Sequence, residues 1–318
     1  MTIFLHNLTF CCRWQSAARL PDYAGSTLRG AFGWALKRCA CMLKSQDCPT
    51  CILNKNCAYA FLFATERYMD ASERLVNARP HPLVIQPGEY NVGARSEGEE
   101  FAFSFLVIGR ASAFLPHIVY SIKLMGEAGI GVGAKHGAGR FTLEQVMADG
   151  QTIFDVSSGL LDNMAQAREI SAETRWHDGE ISRIGVHLIT PLRLKRANTM
   201  VNTLPFPELI RAVLRRISAL ELAYGNEGRG EPTLDYRGLV ERAATVRLVQ
   251  STLRWRELRR FSNRQRQEVS LSGLMGEAIY EGGLTEFLPL LAYASQVHVG
   301  KQTLFGLGRI KIEHFDNI

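Results

Sequence analysis

A glycine-rich loop that occurs twice constrains this chain more than any other feature. Near the C-terminus the sequence reads Val297-His298-Val299-Gly300-Lys301-Gln302-Thr303-Leu304-Phe305-Gly306-Leu307-Gly308-Arg309-Ile310. Residues 131–141 read Gly-Val-Gly-Ala-Lys-His-Gly-Ala-Gly-Arg-Phe. Both copies end in Gly-x-Gly-Arg ahead of an apolar alternating run, the pattern of a half-buried strand. Upstream of each lies Phe-Leu-Pro, at 114–116 and 287–289, followed by an apolar stretch. Proline suits the first turn of a helix, where its missing N–H costs nothing. Helix, glycine loop and strand in two copies predict an internal duplication, with too long a period for a solenoid. Glycine tolerates positive φ and the close approach of another backbone or a ligand. Successive N–H groups in such a loop can also form an anion-binding concavity. The loop therefore reads either as a phosphate cradle or as a tight structural turn.

A chain of 318 residues has material for two domains. The boundaries read as 1–149, a linker over 150–180 rich in Ser, Gly and charge, and 181–318. A net charge of +6 favours an acidic partner, and nucleic acid is the commonest one. No apolar run is long enough to span a membrane, and residues 1–6 lack the pattern of a secretory signal. The expected location is cytoplasmic, where cysteines stay reduced and available to metals.

Within the first domain, residues 2–14 read as a strand and 25–38 as a helix. Ser26 or Thr27 caps that helix, while Leu28, Phe32, Ala35 and Leu36 form its buried face. Strands are expected at 83–92 and 100–109, a helix at 112–127, and a last strand after the glycine loop. Strand, helix, strand, strand, helix, strand is the ferredoxin-like plan shared by RNA-recognition modules. The second domain repeats it, with a strand at 181–195, a helix at 206–224, a strand pair over 245–281 and a helix at 285–296. On the 206–224 helix, Arg211, Arg215 and Arg216 read as a solvated face. The predicted class is α+β, with tandem ferredoxin-like domains.

Two clusters carry candidate chemistry. All seven cysteines fall in the first 57 residues, four of them spaced Cys41-x6-Cys48-x2-Cys51-x5-Cys57. Four thiolates suit a structural zinc ion or an iron–sulfur cluster, the alternative being free buried thiols. In the second domain, residues 254–266 hold the densest arginine run, including Arg254, Arg256, Arg260 and Arg264 with Trp255 and Phe261 interleaved. Arginine pairs with phosphate in a bidentate fashion and aromatic rings stack on bases; the bland alternative is a sheet edge kept soluble by charge. The RNA-contact set expected from these features is Arg254, Arg256, Arg260 and Arg264, with Gly300, Lys301, Thr303, Gly306, Gly308 and Arg309 from the C-terminal loop. Lys135 and Arg140 join it from the N-terminal loop.

Several segments together resemble a known family. Tandem ferredoxin-like folds with Gly-x-Gly-Arg loops characterise the repeat-associated (RAMP) superfamily of CRISPR systems. Tyr23-Ala24-Gly25-Ser26-Thr27-Leu28-Arg29-Gly30-Ala31-Phe32-Gly33 is similar to its Gly-Ser-x-x-Arg-Gly motif. Arg260-Phe261-Ser262-Asn263-Arg264-Gln265, Gly273-Leu274-Met275-Gly276, Phe287-Leu288-Pro289-Leu290-Leu291 and the run from His298 to Arg309 resemble the CRISPR precursor-RNA processing endoribonuclease.

The resemblance implies cleavage of a long CRISPR transcript within each repeat, without a catalytic metal. A ribose 2′-hydroxyl attacks the adjacent phosphate, leaving a 2′,3′-cyclic phosphate and a 5′-hydroxyl. It also implies that the hairpin product is retained, and CRISPR effector subunits as further partners. A non-catalytic RNA-binding subunit of such an effector is the alternative. The chemistry needs a base, an acid and a cation for the developing phosphorane charge. Many family members place a histidine in the first helix, yet residues 25–42 contain none. His298, beside the C-terminal glycine loop, is the leading imidazole, with His136 behind it. Tyr23, Arg29, Lys37 and Arg38 are the alternatives at the family's usual location.

Overall fold

The computed structural model describes residues 2–44, 47–68, 79–88, 92–162, 166–172, 180–196, 199–225, 234–262 and 267–314. It divides into two compact units, Phe4–Glu169 and Ile170–Ile318 with Met1–Ile3.

The N-terminal unit begins with β1 (Thr2–Trp14), β2 (Ala18–Leu20) and α1 (Gly25–Ala40). After it come α2 (Ala58–Leu62), β3 (Leu83–Gln86), β4 (Gly93–Arg95), β5 (Glu100–Ile108), α3 (Leu115–Ala128), β6 (Phe141–Ala148) and β7 (Gln151–Asp155). β8 (Arg168–Ser171) crosses the unit boundary. The sheet order β3-β5-β1-β6 is the antiparallel ferredoxin-like arrangement, extended by β7 at one edge. Strand alternation explains the core: Leu8, Phe10 and Cys12 of β1 face inward in register with β5, and buried Trp14 follows opposite Phe141 of β6. Phe10 stacks on Phe103 at 5.2 Å, while Phe32 of α1 meets Phe105 edge-on at 4.9 Å. Burying each such ring stabilises the unit by about 2–3 kcal/mol.

Two expectations change here. The helix begins at Gly25 with Ala24 as its N-cap and no side-chain cap, so neither Ser26 nor Thr27 plays that part. Residues 150–169, expected as linker, belong to the first unit: β7 pairs with β6, and Leu161 bridges to Phe154. Apolar Ile153 and Phe154, both buried, pull this stretch onto the sheet.

The C-terminal unit contains β9 (Arg183–Leu192), β10 (Lys195–Arg196), β11 (Thr199–Met200), α4 (Phe206–Tyr224), α5 (Tyr236–Ala243) and β12 (Arg247–Ser251). Then follow β13 (Arg254–Arg256), β14 (Arg259–Ser262), β15 (Gln267–Ser270), β16 (Gly273–Glu281), α6 (Leu288–Val297) and β17 (Ile310–His314). The order β12-β16-β9-β17 repeats that of the first unit, with β13 also pairing β16 and α5 added beyond the basic plan. α4 is amphipathic as expected, but Arg216 is not on a solvated face. It is 8% exposed, and its guanidinium donates to the carbonyls of Val297 (2.9 Å) and His298 (3.2 Å). Those carbonyls end α6, where the helix dipole favours a cation.

Candidate nucleic-acid interface

The two glycine loops superpose in conformation, position for position. Positive φ occurs at Gly129, Gly131, Gly133, Gly137 and Gly139 in one loop, and at His298, Gly300, Gln302, Gly306 and Gly308 in the other. Each loop docks on the segment that follows its unit's first long strand. The Val132 N–H donates to the Arg19 carbonyl at 2.9 Å, and the Lys301 N–H donates to the Arg193 carbonyl at the same distance. A Cβ at Gly131 would sit 2.5 Å from the Arg19 oxygen, and one at Gly300 would sit 2.6 Å from the Arg193 oxygen. The glycines therefore let backbone meet backbone.

At Gly306 and Gly308 this favours the tight structural turn over the phosphate cradle. The N–H groups of Val299, Lys301, Phe305, Gly306 and Gly308 all donate to carbonyls of the unit itself. Thr303, Gly306 and Gly308 are buried. What the loop offers outward is side-chain charge. Lys301 and Arg309 are exposed, while Thr190 Oγ1 accepts the Arg309 N–H at 2.9 Å and donates to the Gly306 carbonyl at 2.8 Å.

Further cations gather on the same unit. Arg254 and Arg256 lie exposed on β13, flanking Trp255 at 40% exposure. The Arg260 guanidinium lies 4.8 Å from the centre of the Phe305 ring, tying β14 to the loop. Arg193 donates to the Ser272 carbonyl. Burial lowers the pKa of both Arg193 and Arg260 from the usual arginine value. Among the described residues no carboxylate pairs with Arg254, Arg256, Lys301 or Arg309, whereas Arg259 is held by Glu257 and Glu268. Arg264 lies outside the described residues. Arg193 was missed as a member of this group; its only sequence signal was alternation with Lys195 at the end of β9.

His298 is not available as an exposed proton carrier. It is 1% exposed, and its Nδ1 lies 3.1 Å from the Leu307 carbonyl. Burial drives its pKa down to about 3, against the raising effect of that carbonyl, so the ring is neutral at neutral pH. It occupies the place that Gly129 holds in the other loop, and there it fills the core between helix end and loop.

In the N-terminal unit, Tyr23 is half-buried and its phenol is pushed up by burial, away from the phenolate a base would need. The Arg29 guanidinium lies 4.1 Å from the centre of the Phe63 ring, and Phe63 in turn fills the space beside Gly33. Lys37 reaches toward Tyr59 (5.9 Å), and exposed Arg38 covers Trp34 (5.5 Å). Lys135 and Arg140 are exposed on the N-terminal loop. The cysteine segment offers four free thiols as metal donors. Among the described residues no three of Cys41, Cys48, Cys51 and Cys57 bring their sulfurs within 4.8 Å of one another. The sulfurs are therefore not gathered as closely as a tetrahedral zinc ion would hold them, while an iron–sulfur cluster spaces its ligands more widely.

Residues 186–310 match the family model of the CRISPR-associated endoribonuclease Cas6, and residues 3–167 match the AF_1859_N N-terminal domain. The AF_1859_N match spans more than half of the chain, and the C-terminal unit is similar to the Cas6 family. That family is known for CRISPR RNA-processing endoribonucleases. An uncharacterized protein of Archaeoglobus fulgidus is 26% identical over 297 residues, covering 92% of each chain. Among solved structures, a Cas6 product complex matches at TM-score 0.55 and 13% identity, covering 98% of this chain and 99% of that one. Thermus thermophilus Cas6 matches at 0.54 and 12% identity, with the same coverage. These confirm the tandem ferredoxin-like fold. Among the described residues no helix is long and apolar enough to cross a membrane.

Proposed function

We propose that this protein is an endoribonuclease that cuts CRISPR precursor RNA within its repeats and retains the hairpin product. The carrying observation is the set of exposed cations on the C-terminal unit that, among the described residues, have no carboxylate partner, Arg254, Arg256, Lys301 and Arg309, with exposed Trp255 between the first two. Phosphate neutralises such cations with release of counterions, and an exposed indole offers a stacking surface to a base. Cleavage proceeds by attack of the ribose 2′-hydroxyl on the adjacent phosphorus, giving a 2′,3′-cyclic phosphate and a 5′-hydroxyl. The nucleophile belongs to the substrate, so no metal-activated water is required. Lys37 and Arg38 of α1 supply positive charge to the phosphorane at the family's usual location.

A second reading, a subunit that holds RNA without cutting it, is favoured by two observations: α1 has no histidine, and His298 is buried. On either reading the partners are repeat RNA and CRISPR effector subunits. Cleavage of cognate repeat RNA in excess chelator, beside a copy with 2′-deoxyribose at the scissile position, separates the two. Cutting of the first alone, with a cyclic phosphate end, supports the endoribonuclease; tight binding with neither cut supports the holding subunit.

A further inference from the structure

Attack by a 2′-hydroxyl needs a group that accepts its proton, and among the described residues, which do not include His177, few imidazoles are free to do so. His6 and His298 are buried. His187 is held by Glu313 at 2.8 Å and Glu277 at 3.5 Å. His81 lies 3.3 Å from the Thr65 hydroxyl, His117 packs edge-on against Phe114, and His314 is half-buried. Among the described residues His136 is the only exposed histidine.

Its backbone is held firmly while its ring faces solvent. The His136 N–H donates to the Gly133 carbonyl (2.8 Å), and the Gly137 N–H donates to the Ala134 carbonyl (3.0 Å). The Ser16 hydroxyl donates to the Gly137 carbonyl (3.2 Å) and accepts the Arg140 N–H (3.0 Å). Lys135 precedes it, Arg140 closes the same loop, and Arg19 supplies the carbonyl on which the loop docks; all three are exposed and, among the described residues, without a carboxylate partner. The loop docks on Arg19 of β2, the strand that leads directly into α1. An exposed imidazole on a fixed backbone turn that also carries uncompensated cations is suited to a phosphodiester, since the cations draw in the phosphate and the ring carries the proton.

We propose that His136 is the acid–base residue of the cleavage described above, an assignment that rests on the endoribonuclease reading. The neutral imidazole takes the 2′-hydroxyl proton as the 2′-oxygen bonds to phosphorus. The bond from phosphorus to the 5′-oxygen breaks, and the imidazolium returns the proton to that oxygen, directly or through one water. Atoms and charge balance with no further reactant. Lys135 and Arg140 face the non-bridging oxygens.

The test is single-turnover cleavage of cognate repeat RNA in chelator by His136→Ala and His136→Gln, with dissociation constants, melting curves and pH–rate profiles for each. The expected result is a loss of about 100-fold or more in rate. Affinity stays within about threefold, melting is unchanged, the pH profile flattens, and added imidazole partly restores His136→Ala. Equal rates for the wild type and His136→Ala overturn the assignment and leave the endoribonuclease reading standing. A wild type that binds and does not cut overturns both. Loss of rate matched by an equal loss of affinity also overturns it, reducing His136 to an RNA contact.

Discussion

The two glycine loops share a backbone and differ in what they do with their tips. At the C-terminal tip, Leu304 and Phe305 turn inward, 3% and 9% exposed, and Arg260 packs over the Phe305 ring. At the N-terminal tip, the corresponding Lys135 and His136 turn outward. One turn geometry thus serves as a core plug in one unit and as a presented basic surface in the other. Backbone hydrogen bonds fix the turn in both, so side-chain identity decides the role.

The most damaging way to break the comparison is to put a side chain where backbone meets backbone. Gly308→Ala and Gly139→Ala both demand positive φ, and both drive a Cβ into a carbonyl oxygen, that of Val299 or Ile130. Each should cost about 3 kcal/mol or more, from overpacking plus backbone strain. Denaturant unfolding of both variants checks it, and a loss confined to one of them would mean the loops are not equivalent. Less drastic is exchange at the tips. Phe305→Ala should cost about 3 kcal/mol, while His136→Ala should stay within about 0.5 kcal/mol. Similar losses in both would refute the inward and outward assignment.

Legibility in the sequence follows the same division. The duplication, the ferredoxin-like order and the loops were readable because Gly-x-Gly-Arg and Phe-Leu-Pro are local patterns imposed by backbone geometry. The use of the glycines was not, since a residue without Cβ admits a ligand or a carbonyl equally well, and only the docking on Arg193 and Arg19 decides between them. Burial of His298 and Arg216 was hidden for a related reason. A polar residue at a helix end looks the same whether its partner is water or a buried carbonyl, and the partners here are distant in sequence. The cysteine spacing signalled a close pair, but convergence of four sulfurs is a three-dimensional property that spacing does not contain.

His298 sharpens the comparison through pH, because Gly129 in its place cannot titrate. Its folded pKa is about 3, below the unfolded value near 6.5. The unfolded chain therefore takes up the proton first as pH falls. The stability contributed by the neutral ring is full above the unfolded value and is lost progressively toward the folded one. From pH 7 to pH 5 the loss should be about 2 kcal/mol, and His298→Asn should remove that share of the pH dependence. Unfolding curves at the two pH values, wild type against variant, measure it; parallel slopes would mean His298 is already solvated in the folded state.

The smallest effects concern the outward charges, and they test whether both loops or only one meets RNA. Each exposed cation that touches phosphate releases about one counterion, so removing it should lower the salt slope of binding by about 1. Lys301→Ala and Arg309→Ala are expected to do so in the C-terminal unit, and Lys135→Ala and Arg140→Ala in the N-terminal unit, with little change in melting because all four side chains are exposed. Arg259→Ala is the internal control, since Glu257 and Glu268 already compensate that charge. Binding of repeat RNA across a salt series distinguishes the outcomes. A reduced slope for all four variants makes the two loops parallel RNA contacts. A reduced slope for the C-terminal pair alone removes the N-terminal loop from the RNA surface. It would leave the shared turn geometry there as a structural corner whose outward charge has no phosphate to meet.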